Sequence, residues 1–212
     1  MKLEQLVRVA DRLYPCDGKY YAGPLALSQK NGDIPARLLF VSEAPGLKGA
    51  GSTGIPFFTL RTEQSAVRFA KLMGLLGADC DAERGWRGHG VFVTDVVLRN
   101  PVESGRNGLK NRGLTRAEVR SSLGLLREQI ALVRPRVVVA VGKQACRALS
   151  ELLGVGVKID GRFKDAPGRD FKVVGCPHPS PYNNARPNLL AVQEKVFRRL
   201  ASMLQPIHAS NS

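Results

Sequence analysis

Four short apolar runs, Leu38–Val41, Val91–Val97, Val137–Val141 and Val173–Cys176, recur along the chain with amphipathic segments between and after them. Each run is β-branched or aromatic in part and too short for a buried helix. None shows the polar alternation of a strand with one wet face, so each reads as a strand covered on both sides. The segments between carry helical spacing. Thr62–Leu76 puts Ala66, Val67, Ala70, Met73 and Leu76 on one side, and Thr115–Val133 opens with Thr115 and Glu118 at capping-box spacing. Gln144–Leu153 stops at Gly154, a left-handed terminator, and Leu189–Leu204 follows Asn188, a good N-cap. An earlier stripe, Leu3 to Leu13, leads into a Gly/Pro/Tyr-rich irregular stretch from Pro15 to Pro35. Strand and helix in alternation predict an α/β fold, a three-layer α/β/α sandwich around a central four-stranded, mainly parallel sheet. The 212 residues suit one domain, 1–204, with 205–212 as a disordered tail.

Charge narrows the class of partner. Lys plus Arg number 32 against 18 Asp plus Glu, a net +14, which favours a polyanion. Nucleic acid fits better than a membrane surface, because no long basic amphipathic helix is present. No apolar run nears the roughly 20 residues that span a bilayer, and charges interrupt the N-terminus, MKLEQLVRVADRLYP, where an export signal would need an apolar core. The expectation is a cytoplasmic monomer, nucleoid-associated while acting, with reduced thiols. Cys16, Cys80, Cys146 and Cys176 are scattered and no CxxC occurs, so neither a metal nor a cofactor is expected.

In parallel sheets the ligand site lies beyond the carboxyl ends of the strands. After the first run comes Ser42-Glu43-Ala44-Pro45-Gly46, then a glycine-rich loop closing on Thr53-Gly54-Ile55-Pro56-Phe57-Phe58. It matches neither a Walker loop nor a GxGxxG fingerprint. The second run holds the polar pair Thr94-Asp95 and feeds a basic loop with Arg99, Arg106, Lys110 and Arg112. After the third, Gly142-Lys143 opens a helix whose backbone amides suit a phosphate. After the fourth comes Cys176-Pro177-His178-Pro179-Ser180-Pro181-Tyr182-Asn183, where three prolines stiffen the loop and position His178. His89 and His208 have no such frame and read as surface or tail.

These pieces, in this order, resemble the uracil-DNA glycosylase superfamily. EAPG…TGIPFF and HPSPYN carry most of the likeness; VTDVV and RPRVVVAVGKQA match between them, from about Arg37 to about Leu200. EAPG looks like the bacterial and archaeal iron–sulfur branches, and GAGSTGIPFF also looks like the branch acting on uracil and hydroxymethyluracil in single strands. The resemblance implies a monofunctional DNA glycosylase of base excision repair. Phe57 would stack on a nucleobase swung out of the helix, with Ala44, Pro45, Gly46 and Asp95 around that base. His178, as a neutral imidazole, would donate to the base O2 as negative charge develops there. Glu43 would orient the water or brace its loop. Gly142, Lys143 and Ser180 would hold phosphates, and Pro181, Tyr182 and Asn183 would probe or fill the space left in the duplex.

The sequence departs from the pattern in three places. The iron–sulfur branches use four cysteines where this chain has only Cys16, the segment Leu98-Arg99-Asn100-Pro101 and the pair Ser121-Ser122, so no cluster is expected. The water-aligning carboxylate or Asn of several branches would fall at Ala44 or Gly49, and neither can serve. The base-reading Asn falls on Asp95. An ionised Asp accepts only and would face uracil O4 with like polarity. Either Asp95 is protonated by burial, or the preferred base is another, such as hypoxanthine or xanthine. A non-catalytic DNA-binding relative is the remaining reading.

Overall fold

The structure, a computed structural model, describes residues 1–60 and 63–204. Its strands are β1 (Leu38–Ser42), β2 (Asp79–Asp81), β3 (Gly85–Arg87), β4 (Val91–Asp95), β5 (Val102–Gly105), β6 (Gly108–Asn111), β7 (Val137–Val141), β8 (Phe163–Asp165) and β9 (Lys172–Cys176). Its α-helices are α1 (Leu3–Leu13), α2 (Ala50–Thr53), α3 (Gln64–Gly74), α4 (Arg116–Val133), α5 (Lys143–Leu153), α6 (Pro181–Asn184) and α7 (Pro187–Leu204).

The four apolar runs are the parallel strands β4, β1, β7 and β9, side by side in that order. A fifth strand corrects the expected count of four: β8 pairs antiparallel with β9 at the sheet edge. Its sequence, Phe-Lys-Asp, is short and mostly solvated, so it leaves no apolar run to detect. Two antiparallel hairpins, β2–β3 and β5–β6, lie outside the sheet, and the second carries part of the basic loop after β4.

Strand pleating sorts the core into two faces. Leu39, Val41, Phe92, Val138, Ala140 and Val173 pack with α1, α4 and α5. Leu38, Phe40, Val93, Val139, Val174 and Cys176 pack with α3, α7 and Trp86. On that second face Phe40 lies 5.7 Å from Phe69 and 5.5 Å from Phe197, ring centre to ring centre. This is the three-layer arrangement the sequence predicts.

Helix boundaries follow local chemistry. Thr115 and Glu118 form the predicted capping box, Glu118 N–H to Thr115 Oγ1 at 3.2 Å and Thr115 N–H to Glu118 Oε2 at 2.8 Å. Gly154 ends α5 in the left-handed region. Helix α7 starts at Pro187 rather than after Asn188, because proline suits a first helical position. The predicted start of α3 at Thr62, the tail 205–212 and His208 lie outside the described residues. Strand β4 stops at Asp95, where the N–H groups of Val96 and Val97 turn to the carbonyls of Ser42 and Glu43. Register sets Ser42 beside Asp95 and Val141 beside Cys176, so four chain segments leave the sheet at one edge.

Candidate active site

The segment after β1 is held as a rigid shelf. Asn100 donates through Nδ2 to the Pro45 carbonyl and to Asn111 Oδ1, which also accepts from Leu47 N–H at 3.0 Å. The chain then tightens, with Gly51 N–H on the Gly46 carbonyl at 2.8 Å; a Cβ on Gly51 would fall 2.8 Å from that same oxygen. Thr53 accepts from Ile55 N–H and donates within the loop, and the buried Trp86 indole donates to Pro56 O at 2.7 Å. These ties force Phe57 to φ +54°, a left-handed conformation uncommon for a bulky residue and a mark of a constrained site. One face of the Phe57 ring stacks on Phe69 at 4.1 Å, and the ring lies 5.4 Å from the His178 imidazole.

The loop after β9 is fixed by three amides, of which sequence reading singled out only Asn183, and for another role. The buried Gln193 of α7 donates to the carbonyls of His178 and Pro177 at 3.1 and 3.3 Å. Asn183 donates to the His178 carbonyl at 3.0 Å, and Asn184 to that of Pro179 at 3.2 Å. Ser180 caps α6. Gly142, at φ +94°, packs against His178, where a Cβ would stand 3.3 Å from the His178 Cβ. Tyr182 is exposed, with the Arg186 guanidinium 4.1 Å over its ring.

Between the two loops is a cavity of about 160 Å³ lined by Ser42, Ala44, Pro45, Gly46, Ala50, Phe57, Phe58, Glu63, Ser65, Ala66, Asp95 and His178. That is below the roughly 300 Å³ at which drug-sized pockets begin, and it suits a single ring held at its edges. The fold has a larger groove, about 630 Å³, beneath the opposite ends of the strands, but it brings together no histidine and no aromatic–imidazole pair.

Pleating explains which residues face the cavity. Ser42 and Ala44 line it while Glu43 between them does not, and Asp95, the register partner of Ser42, points to the same side. Of the residues expected around a base, Phe57, Asp95, Ala44, Pro45, Gly46 and His178 converge here. Glu43 is not among the lining residues; burial raises its carboxyl above the ordinary carboxylate range, and the Leu114 backbone beside it acts in the opposite sense. Gly142 adjoins His178, while Lys143, Pro181 and Tyr182 are exposed. Glu63, Ser65, Phe58 and Ala66 are lining residues that the sequence did not disclose.

Burial decides the charge states. Asp95 is 2% exposed and its Oδ2 has no partner among the described residues. Desolvation, then the nearby charge of Glu43, lifts its carboxyl to about 8, so it is mainly protonated at neutral pH. Desolvation lowers His178 to about 4, leaving a neutral imidazole with one N–H to donate.

The residues present do not fit an iron–sulfur cluster. Where thiolates would be needed, Arg99 donates to Cys16 Sγ at 2.9 Å and pairs with Asp11 at 2.8 Å, and Ser122 accepts from the Tyr14 hydroxyl at 2.7 Å. Among the described residues no group of three or more His, Cys, Asp or Glu side chains could hold a metal ion.

Residues 29–201 match the family described as the uracil DNA glycosylase superfamily. The chain is 34% identical over 174 residues to a type-5 uracil-DNA glycosylase of Pyrobaculum aerophilum, covering 81% of this chain and 74% of that protein. It is 29% identical over 159 residues to a type-4 uracil-DNA glycosylase of the same organism, covering 72% of this chain and 65% of that one.

Proposed function

This chain belongs to the uracil-DNA glycosylase superfamily, and we propose that it hydrolyses the N-glycosidic bond of uracil in DNA, releasing the base and leaving the strand intact. The observation that carries this reading is that Phe57 and His178, 5.4 Å apart, line one small cavity with the buried Asp95 carboxyl in its wall. The flipped uracil stacks on the Phe57 face opposite Phe69. Asp95 in its acid form donates through O–H to O4 and accepts N3–H through its carbonyl oxygen, the same pattern an amide would offer. A bond to a site built for it rejects bases lacking the complementary groups, because a buried polar group left unpaired costs about 1–3 kcal/mol.

As the C1′–N1 bond lengthens, its electron pair moves onto the base and charge builds at O2. The neutral His178 N–H, already oriented by Gln193 and Asn183 through its backbone, meets that charge. A donor of this kind contributes roughly 3–4 kcal/mol to the transition state. Glu43 stands outside the cavity and, by its charge, helps keep Asp95 protonated. Phosphates bind at Gly142, Lys143 and Ser180, with the exposed Pro181 and Tyr182 entering the space the base vacates, while Asn183 stays on the His178 carbonyl.

The test uses oligonucleotides bearing uracil, hypoxanthine, xanthine or hydroxymethyluracil, single- and double-stranded, incubated with the protein and then treated with alkali. Cleavage of the uracil strand only after alkali is the expected result. Cleavage confined to a purine lesion rejects the uracil assignment, and tight binding with no cleavage of any strand rejects the enzyme.

A further inference from the structure

Hydrolysis needs an acceptor for a proton of the attacking water, and the cavity offers few. Its polar lining is Ser42, Glu63, Ser65, Asp95 and His178. On the glycosylase reading, which this inference rests on, His178 and Asp95 face the base, and Asp95 already holds its proton. The two serines are weak acceptors for a water proton. Glu63 is different. It makes no hydrogen bond or ion pair within the described residues, although it precedes α3 as the N-cap residue and its side chain makes no cap bond there. Its carboxylate turns into the cavity instead.

Gly49 lies against this carboxylate: a Cβ there would fall 2.6 Å from Glu63 Oε2, so a side chain at 49 would push the carboxylate from its present place. Gly49 and Ala44 are the positions where the first strand's loop has no side chain able to align a water. The carboxylate oxygen occupies the start of the missing side chain, delivered from a different element.

We infer that Glu63 is the catalytic carboxylate that orients the hydrolytic water and takes its proton. The C1′–N1 bond breaks with its electron pair going to the base. The water oxygen bonds to C1′, and one of its protons passes to a Glu63 oxygen. That proton then leaves to solvent or to the departing base anion, which restores the carboxylate and balances the reaction.

The test is single-turnover cleavage of a uracil oligonucleotide by the full chain, beside binding of the same strand carrying non-cleavable 2′-fluorodeoxyuridine. Glu63→Gln should slow cleavage by about tenfold to a hundredfold, the lower part of the range for a proton acceptor because an oxocarbenium is a strong electrophile. Affinity should stay within about twofold, since the base contacts remain. Glu63→Ala should regain rate when formate is added, which a misfolded protein would not do. An unchanged Glu63→Gln rate beside an active wild type overturns the role of Glu63 and leaves the glycosylase reading standing. Loss of affinity together with rate, without formate rescue, reduces Glu63 to a structural residue. A wild type that cleaves no base overturns both.

Discussion

The acid form of Asp95 makes the sharpest demand on the proposed chemistry. Burial first, and the Glu43 charge second, raise its carboxyl from 3.8 to about 8. The sign is unusual for a carboxyl: the folded value lies above the unfolded one. Asp95 therefore reads uracil as an acid below about pH 8 and loses its donor above it. At pH 7, one unit below, about nine in ten molecules carry the proton; each unit above pH 8 removes a further tenfold. Asp95→Asn supplies the same donor and acceptor without titrating. The assay is single-turnover uracil cleavage by both proteins from pH 6 to 9, taking the ratio of wild type to variant, so that titration of the base or of other groups cancels. The ratio should be flat near pH 6 to 7 and fall above about pH 8. Linkage adds an independent readout. Because the folded state holds this proton more tightly, Asp95's contribution to stability is greatest below about pH 4 and declines as pH rises to about 8. Asp95→Asn removes that decline and should be more stable than wild type at pH 7, by up to about 4 kcal/mol at 1.36 kcal/mol per unit. A ratio that stays flat to pH 9, or an Asn variant that cleaves uracil poorly at every pH, refutes the acid reading of Asp95.

Glu43→Gln removes the second cause of the Asp95 shift, so the fall in the wild-type profile should move to lower pH for uracil cleavage in the same assay. His178→Ala should cut the cleavage rate by about 10²–10³, the loss expected for one donor to developing negative charge, while affinity for the non-cleavable strand changes little. Because desolvation holds the imidazole near 4, the acidic fall in rate should lie near pH 4; a fall already near pH 6.5 would show an imidazole not depressed by burial, and a rate lost as pH rises through the histidine range would show His178 working as the cation. With a net charge of +14, binding to undamaged strands should weaken steeply and linearly in log–log form as salt rises, measured by fluorescence anisotropy; a shallow slope would place the basic residues away from phosphates.

What was legible in the sequence, and what was not, follows from one geometric rule. The parallel strands and the loops after them could be read because apolar runs and their exits are local signals. The Phe57–His178 pairing could be expected because both residues leave the same sheet edge. Which residues of an exit loop enter the cavity is a question of pleat. Side chains alternate, so Ser42 and Ala44 face inward and Glu43 faces Leu114, and the register partner Asp95 shares the side of Ser42. The conspicuous acid of EAPG thus points away from the cavity, a result that needs the strand's phase and not only its position. Glu63 was hidden for the opposite reason. An acidic residue at a helix start has an ordinary explanation in the helix dipole, and only the contact across 14 residues to Gly49 distinguishes it. Gln193 was masked in the same way, as a polar residue beside the apolar stripe of α7, until two carbonyls of the His178 loop were found on its amide. Residues that carry a site through the sheet's own ends can be found from local pattern. Those reaching it from a flanking helix depend on packing between the layers, and the chemistry assigned to Glu63 is the part of the site that rests on that packing alone.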